Sequence, residues 1–431
     1  MRSSIALLLV LSLFTLRESS AQLSSEELRI LEIVDEQFPD GIDFLERIVN
    51  VNSGTGNHDG VRAVGAMFAE QFRDLGFQTS WDDLPDSIVS AGHLFAERRG
   101  DQGRRLLLIG HLDTVFEADS PFQTFEMMGD TAARGPGVSD MKGGDVVVLQ
   151  ALRALHTAGV LHNTSIIVAF TGDEEQPGRP LSVNRASLIE AAQRSDAALA
   201  FEGGLAGIGE LTIARRGFTG WTLRVTGRRG HSSLIFGEQY GDGAIYPVAA
   251  IITAFRQEMG GEEYLTFNVG SIVGGTDVTF DTHTSEGRAF GKTNVIAQTA
   301  IAAGDLRTLS IDQLNRAKQR MRSIVAREYP GAEATIEFDD SYPPMFPSDG
   351  NRGLLAVADQ ISRDMGDGPV TPFDPGRRGA ADVSFVAPYI DGIDGLGPVG
   401  FEEHSTDEWV ELTSLPTVIK RAALLIYRLT R

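Results

Sequence analysis

Five short stretches of this sequence gather acids and histidines closely enough to do chemistry. They are Gly110-His111-Leu112-Asp113, the run Gly135-Pro136-Gly137-Val138-Ser139-Asp140-Met141-Lys142-Gly143-Gly144, Thr171-Gly172-Asp173-Glu174-Glu175, Phe201-Glu202-Gly203-Gly204, and His404-Ser405-Thr406-Asp407-Glu408. An imidazole such as His111 binds zinc through one ring nitrogen, and a carboxylate two residues on, Asp113, can orient the other. Three consecutive acids, Asp173 to Glu175, repel one another, and a bound dication removes that repulsion. His111, Asp140, Glu175, Glu202 and His404 together suit two zinc ions that share one carboxylate. Two such ions, about 3.5–4 Å apart, activate water and clamp both oxygens of a transition state. Taken singly, each stretch has a blander reading. Asp140 can be a helix N-cap, and residues 173–175 can be a solvated acidic loop.

The elements around these stretches argue for the shared reading. The apolar run 106–109 ends at Gly110-His111, the run 165–170 ends at Thr171-Gly172, and the run 197–201 ends at Glu202. Apolar residues at helical spacing predict helices over 24–50, 61–75, 142–158 and 187–193. Strands alternating with helices imply an α/β sheet covered on both faces. Ligands bind such sheets at the carboxyl ends of the strands, so the strand-end clusters converge in space. The pattern changes near residue 211. Half-buried strands are predicted at 211–213 and 218–225, a helix over 247–258, and strand-like stretches at 266–273, 293–299 and 300–307. A helix over 311–328 and a strand at 334–338 follow, then a helix over 354–365, a strand end at 396–400 and a helix over 415–429. The expected architecture is a three-layer α/β catalytic domain with a central, mostly parallel sheet, residues 22–210 and 342–431. An α+β domain, residues 211–341, interrupts it.

Composition bounds the function. With 431 residues, 42% of them hydrophobic, the chain can build two packed domains. It has no cysteine, which excludes disulfides, thiol nucleophiles and thiolate metal sites. Any zinc is therefore held by His, Asp and Glu, the ligand set of catalytic rather than structural sites. A formal net charge of −21 argues against nucleic acid and anionic membrane as partners. At the N-terminus, Arg2, an apolar run over 5–16 and Ser19-Ser20-Ala21 read as a signal peptide, residues 1–21. The run is short for a membrane span, and an uncleaved anchor is the alternative. The mature chain is expected to start near Gln22 and to be secreted or periplasmic.

Taken in order, GHLDTV, GPGVSDMKGG, TGDEEQPG, AFEGG, GRRGHSS and HSTDEWVEL resemble the motifs of one family. It is that of the co-catalytic zinc metallopeptidases, which include glutamate carboxypeptidase, aminoacylase, acetylornithine deacetylase and succinyl-diaminopimelate desuccinylase. The resemblance covers essentially all of the mature chain. It implies that Asp140 bridges two zinc ions, with His111 and Glu202 completing one site and Glu175 and His404 the other. It implies that Asp113 orients His111, and that the Asp140–Met141 bond is cis. Glu174 would be the general base, taking a proton from the bridging water and later delivering it to the leaving nitrogen. The inserted domain would be a lid through which a homodimer forms. His231 would reach the partner subunit's active site and stabilise the oxyanion. Asn294 and Arg307 would hold the substrate carboxylate, and Gly379, with Asp382, would line the pocket. Two departures stand out. Ala297 follows Asn294-Val295-Ile296 where the family often has proline, and Arg378 precedes Gly379 where it often has a second glycine.

The expected activity is hydrolysis of an amide in a small peptide or N-acyl amino acid, of carboxypeptidase or aminoacylase type. Two zinc ions per subunit are expected, with cobalt or manganese as substitutes. A lactam or ester hydrolase is another reading of the same site. A peptide-binding protein without catalysis is the reading from a different class.

Overall fold

The computed structural model describes residues 23–204, 207–282 and 284–431. The predicted export signal lies outside them. At the centre is a six-stranded mixed sheet. Its spatial order is Gln78–Asp82, His93–Arg98, Thr164–Thr171, Gln102–His111, Ala197–Ala200 and Gly392–Ile393. The four strands from Thr164–Thr171 onward pair in parallel, and the first two strands add antiparallel at one edge.

Strand periodicity explains the layering. Leu106, Leu108, Ile166 and Val168 point into one core, shared with helices Ser25–Val49, His58–Asp74, Lys142–Thr157 and Leu415–Leu429. Leu107, Ile109, Ile167 and Ala169 point the other way, toward helices Ala186–Gln193 and Val383–Val386. Strands buried on both faces read as unbroken apolar runs, which is why they were plain in the sequence. Leu108 is completely buried, and truncating it to alanine would cost about 2–5 kcal/mol. The edge strand Gln78–Asp82 left no such signal, because its residues are mostly polar and partly exposed.

A second sheet has its own core. Strands Thr266–Gly275, Thr299–Thr308, Gly217–Gly227 and Ala332–Asp340 lie side by side, all antiparallel. Trp221, Leu223 and Val225 face helices Ile245–Met259 and Ile311–Val325. The stretch 293–299, expected as a strand, is not one. Val295 donates its N–H to the carbonyl of Lys292, closing a turn, and bridges only His231. The chain instead forms a hairpin just before it, Asp277–Phe280 with Gly287–Phe290. Likewise 396–400 yields only the two-residue strand Gly400–Phe401. That strand joins Trp409–Glu411, Ala132–Arg134 and Glu126–Met128 in a small antiparallel sheet. The loop carrying His404 hangs between two of its strands.

Candidate metal centre and active site

Three of the clusters sit where a strand of the central sheet ends, one at the start of a helix, and one in the loop between Gly400–Phe401 and Trp409–Glu411. His111 is the last residue of its strand, and Thr171 the last of the neighbouring one. Asp140 lies just before Met141, the N-cap of the helix Lys142–Thr157. Two glycines let that helix approach. A Cβ on Gly144 would come within 1.9 Å of the Phe201 carbonyl, and one on Gly143 within 2.2 Å of the Val138 carbonyl. The helix start and the end of Ala197–Ala200 are thereby pressed together, which brings Asp140 to Glu202. The Asp140–Met141 peptide is cis. The helix has no side-chain cap, so the Asp140 carboxylate is spent elsewhere.

One oxygen of Asp140 lies 3.1 Å from His111 Nε2, and the other lies 3.1 Å from His404 Nε2. Glu202 Oε1 is 3.8 Å from His111 Nε2, and Glu175 Oε2 is 3.1 Å from His404 Nε2. Two triads result, His111–Asp140–Glu202 and Asp140–Glu175–His404, with the donor atoms of each within 4.8 Å of one another. Ligands about 2.0–2.2 Å from a tetrahedral ion are roughly 3.3 Å apart, so this spacing admits one ion per triad. His404 is itself in the left-handed region, at φ 61°, a conformation that non-glycine residues adopt at a cost.

Electrostatics points the same way. Burial and Asp140 push Glu175 up to about 7, and the same two influences push Glu202 up to about 8. Burial is also the main reason that Glu174 is held well above the ordinary carboxyl range. Bonds to Asp140 and Glu175 raise His404 to about 11. Burial opposes charge on His111, but Asp113 and Asp140 outweigh it and hold it well above its ordinary value. Glu175 Oε1 is buried without a partner. The cluster thus needs positive charge to be stable, and its nitrogen and oxygen donors are those that zinc-like dications take.

Further groups hold the ligands. Asp113, completely buried, accepts from Thr55 Oγ1 at 2.7 Å and from the N–H groups of Glu174 and Glu175 at 2.9 and 3.1 Å. Its backbone carbonyl lies 3.0 Å from His111 Nδ1, and its carboxylate 3.4 Å. One aspartate therefore ties two of the clusters, and Thr55, together. Sequence reasoning gave no role to Glu408, yet its buried carboxylate accepts the N–H groups of Gly137, Ser139 and Asp140 at 2.8–3.0 Å. Nor did it foresee the buried Arg185, which pairs with Asp173 at 2.6 Å and with Asp382 at 2.8 Å. That pairing accounts for Asp173, the first acid of the 173–175 run. Tyr342, where the chain returns from the second sheet, donates its hydroxyl to the Glu174 carbonyl at 2.7 Å.

The remaining predicted residues divide. A cleft of about 730 Å³ runs past the cluster, lined by Glu174, Glu175, His404, Phe218, Arg307 and Tyr342 among others. Arg307 lies over the Phe218 ring at 5.0 Å and pairs with Asp305 at 2.9 Å. The Gly379 carbonyl accepts from Arg215 Nη1 at 3.0 Å. His231 and Asn294 are not brought to this cleft. Both are exposed on the second domain, where the Ser232 N–H donates to the Asn294 carbonyl and His231 Nδ1 lies 2.8 Å from Ser233 Oγ.

Residues 107–428 match the family model described as peptidase family M20/M25/M40. The chain is 27% identical over 402 residues to carboxypeptidase G2 of Pseudomonas sp. (strain RS-16), covering 91% of this chain and 89% of that one. It is 27% identical over 372 residues to a succinyl-diaminopimelate desuccinylase of Alkalilimnicola ehrlichii, covering 82% and 90%. Its fold resembles that of the Bacillus subtilis YXEP protein, described as a dinuclear metal binding peptidase. There the TM-score is 0.66 at 14% identity, over 92% of this chain and 99% of that one.

Proposed function

Because the chain belongs to peptidase family M20/M25/M40 and is a metallohydrolase of peptidase or amidohydrolase type, we propose that it cleaves the amide bond of a small peptide or N-acyl amino acid. The observation that carries the reading is the Asp140 carboxylate, with one oxygen 3.1 Å from each of two histidines, each histidine flanked by a second acid. His111, Asp140 and Glu202 would hold one ion, and Asp140, Glu175 and His404 the other, with zinc as the proposed metal. Two bound dications supply Lewis acidity to the scissile carbonyl and lower the pKa of water.

The chain's own groups do the rest. Glu174 lines the cleft beside the cluster, and burial raises its proton affinity. A carboxyl so tuned suits both halves of a proton transfer. It takes the proton from the attacking water and gives it to the leaving nitrogen. Asp113 and Tyr342 hold the backbone of Glu174 from two sides, so that proton moves between fixed positions. Arg307 offers the cleft a guanidinium for the substrate carboxylate. His231 and Asn294, exposed and away from the cleft, are assigned to the partner subunit's active site in a homodimer.

Metal content and hydrolysis of N-acetyl, N-benzoyl and N-succinyl amino acids and dipeptides, before and after chelation, test the reading. It expects near two zinc ions per chain and chelator-sensitive release of an amino acid. One ion or none, with no turnover after zinc is restored, would refute it. The same panel separates peptidase from deacylase.

A further inference from the structure

The loop 172–178, which carries Glu174 and Glu175, meets a buried side chain that the mechanism above does not use. His93 opens the strand His93–Arg98 and is completely buried. The ladder between that strand and Thr164–Thr171 ends where Leu94 faces Phe170. Beyond it the two segments stay close, since a Cβ on Gly172 would lie 2.2 Å from the Gly92 carbonyl. There the His93 ring takes over from the backbone. The Gly172 N–H donates to its Nδ1 at 3.2 Å, and its Nε2 lies 3.0 Å from the Asn184 carbonyl. A backbone N–H only donates and a carbonyl only accepts. Nδ1 is therefore bare, and Nε2 carries the ring's proton.

The loop that His93 holds at its entry is tied to the same partner at its exit. Asn184, also completely buried, donates through Nδ2 to the Gly178 carbonyl at 2.9 Å and to Asp173 Oδ2 at 2.6 Å. That Asp173 oxygen accepts the Gly178 N–H at 3.1 Å. Gly172, His93, Asn184 and Gly178 thus form a closed circuit of hydrogen bonds around the loop, with Glu174 two residues inside its entry. Asp113 and Tyr342 hold the backbone of Glu174 itself, and the circuit fixes the ends from which that backbone hangs. Without the His93 acceptor, the buried Gly172 N–H is left unpaired, which is costly enough to move the chain. A shift of about 1 Å at a reacting group costs up to about 10²-fold in rate.

We infer that His93 is a positioning residue: with its proton on Nε2, it closes this circuit and fixes the loop from which Glu174 moves protons. The inference rests on the amide-hydrolase reading above. Two measurements on zinc-loaded protein test it, and the first needs no turnover. Nitrogen NMR on protein labelled at its histidines, assigned by the signal lost in His93→Asn, should show one bare and one protonated ring nitrogen, the proton on Nε2. A proton on Nδ1 would overturn the inference. The second measurement is kinetic, on an amide of the panel that unsubstituted protein hydrolyses. His93→Leu fills the space but accepts nothing. With zinc saturating, it should lose about 10–100-fold in kcat, with KM changed by less than about threefold. His93→Asn keeps an acceptor near the place of Nδ1 and should recover most of that loss. His93→Gln, whose amide reaches the place of Nε2 instead, should recover less. Full kcat in folded His93→Leu protein would overturn the inference. So would equal kcat in His93→Asn and His93→Gln, a comparison that decides the matter even where His93→Leu fails to fold. No turnover by unsubstituted protein would sink the hydrolase reading, and the NMR result would still decide how His93 holds the loop.

Discussion

The strand-end cluster of the first domain and the loop of the second that carries His231 and Asn294 are built in opposite ways. In the first, buried groups hold most of the ligand candidates: Asp113 fixes the His111 ring and the 174–175 backbone, and Glu408 fixes the Asp140 loop, while His404, itself exposed, meets Asp140 and Glu175. In the second, His231 and Asn294 are exposed, and their contacts are with neighbouring residues of the same domain. One site is complete within a chain, and the other consists of groups with nothing yet to act on. The difference teaches that the proposed proton-transfer and metal functions should survive in isolation, whereas His231 and Asn294 should matter only where another surface meets them.

The largest expected effect breaks the first half of that comparison. Glu174→Ala should lower kcat by about 10²–10⁴ while the protein still binds two ions, as read by metal analysis. Undiminished activity would remove Glu174 from the mechanism. Next comes pH. In the metal-free protein Glu175 and Glu202 keep protons to about 7 and 8, and His404 to about 11. Ions must displace these protons, so apparent metal affinity should climb about tenfold per pH unit for each proton displaced, up to pH 8. Calorimetry in buffers of different ionisation enthalpy would register proton release, and uptake without release would contradict it.

The sign for stability follows from the same groups. The raised His404 pKa adds stability that is whole below its ordinary 6.5 and is lost as pH rises toward about 11. Glu175 and Glu202 bind protons more tightly folded than unfolded. Their contribution is likewise lost as pH rises from about 4.5 through 7 and 8. Metal-free protein should therefore melt at lower temperature at pH 8 than at pH 6, and added zinc should remove most of that difference.

A smaller effect belongs to Glu408. Glu408→Gln keeps the shape but weakens three N–H bonds to the Asp140 loop, and should cost about 10–100-fold in metal affinity. The second half of the comparison is probed by mixing. Equal amounts of His231→Ala and Glu174→Ala chains, allowed to exchange subunits, should regain roughly a quarter of full activity if sites are shared across a two-fold interface. No recovery despite proven exchange would confine His231 to its own chain. Smallest is the ion pair joining the two regions, Arg179 with Asp339 at 2.8 Å, both largely exposed. Asp339→Asn should change stability by less than about 1 kcal/mol, an effect that added salt erases.

What was legible in the sequence follows the same divide. The ligand set could be read because each member lies in a contiguous motif, three of them (His111, Glu175 and Glu202) at the end of an unbroken apolar strand. The groups that hold it could not. Glu408 reaches back to Gly137, Ser139 and Asp140, and Arg185 reaches forward to Asp382. Nothing local marks such pairings. The polar edge strand Gln78–Asp82 and the exposed hairpin of the second domain escaped for a related reason, since neither buries an apolar face that periodicity could reveal.

The central claim is that Asp140 is shared by two ions. Anomalous diffraction at the zinc edge, from crystals of zinc-loaded protein, tests it most directly. The account predicts two peaks about 3.5–4 Å apart, one between His111 and Glu202, the other between Glu175 and His404, with Asp140 between them. A single peak, or two peaks that do not share Asp140, would contradict it.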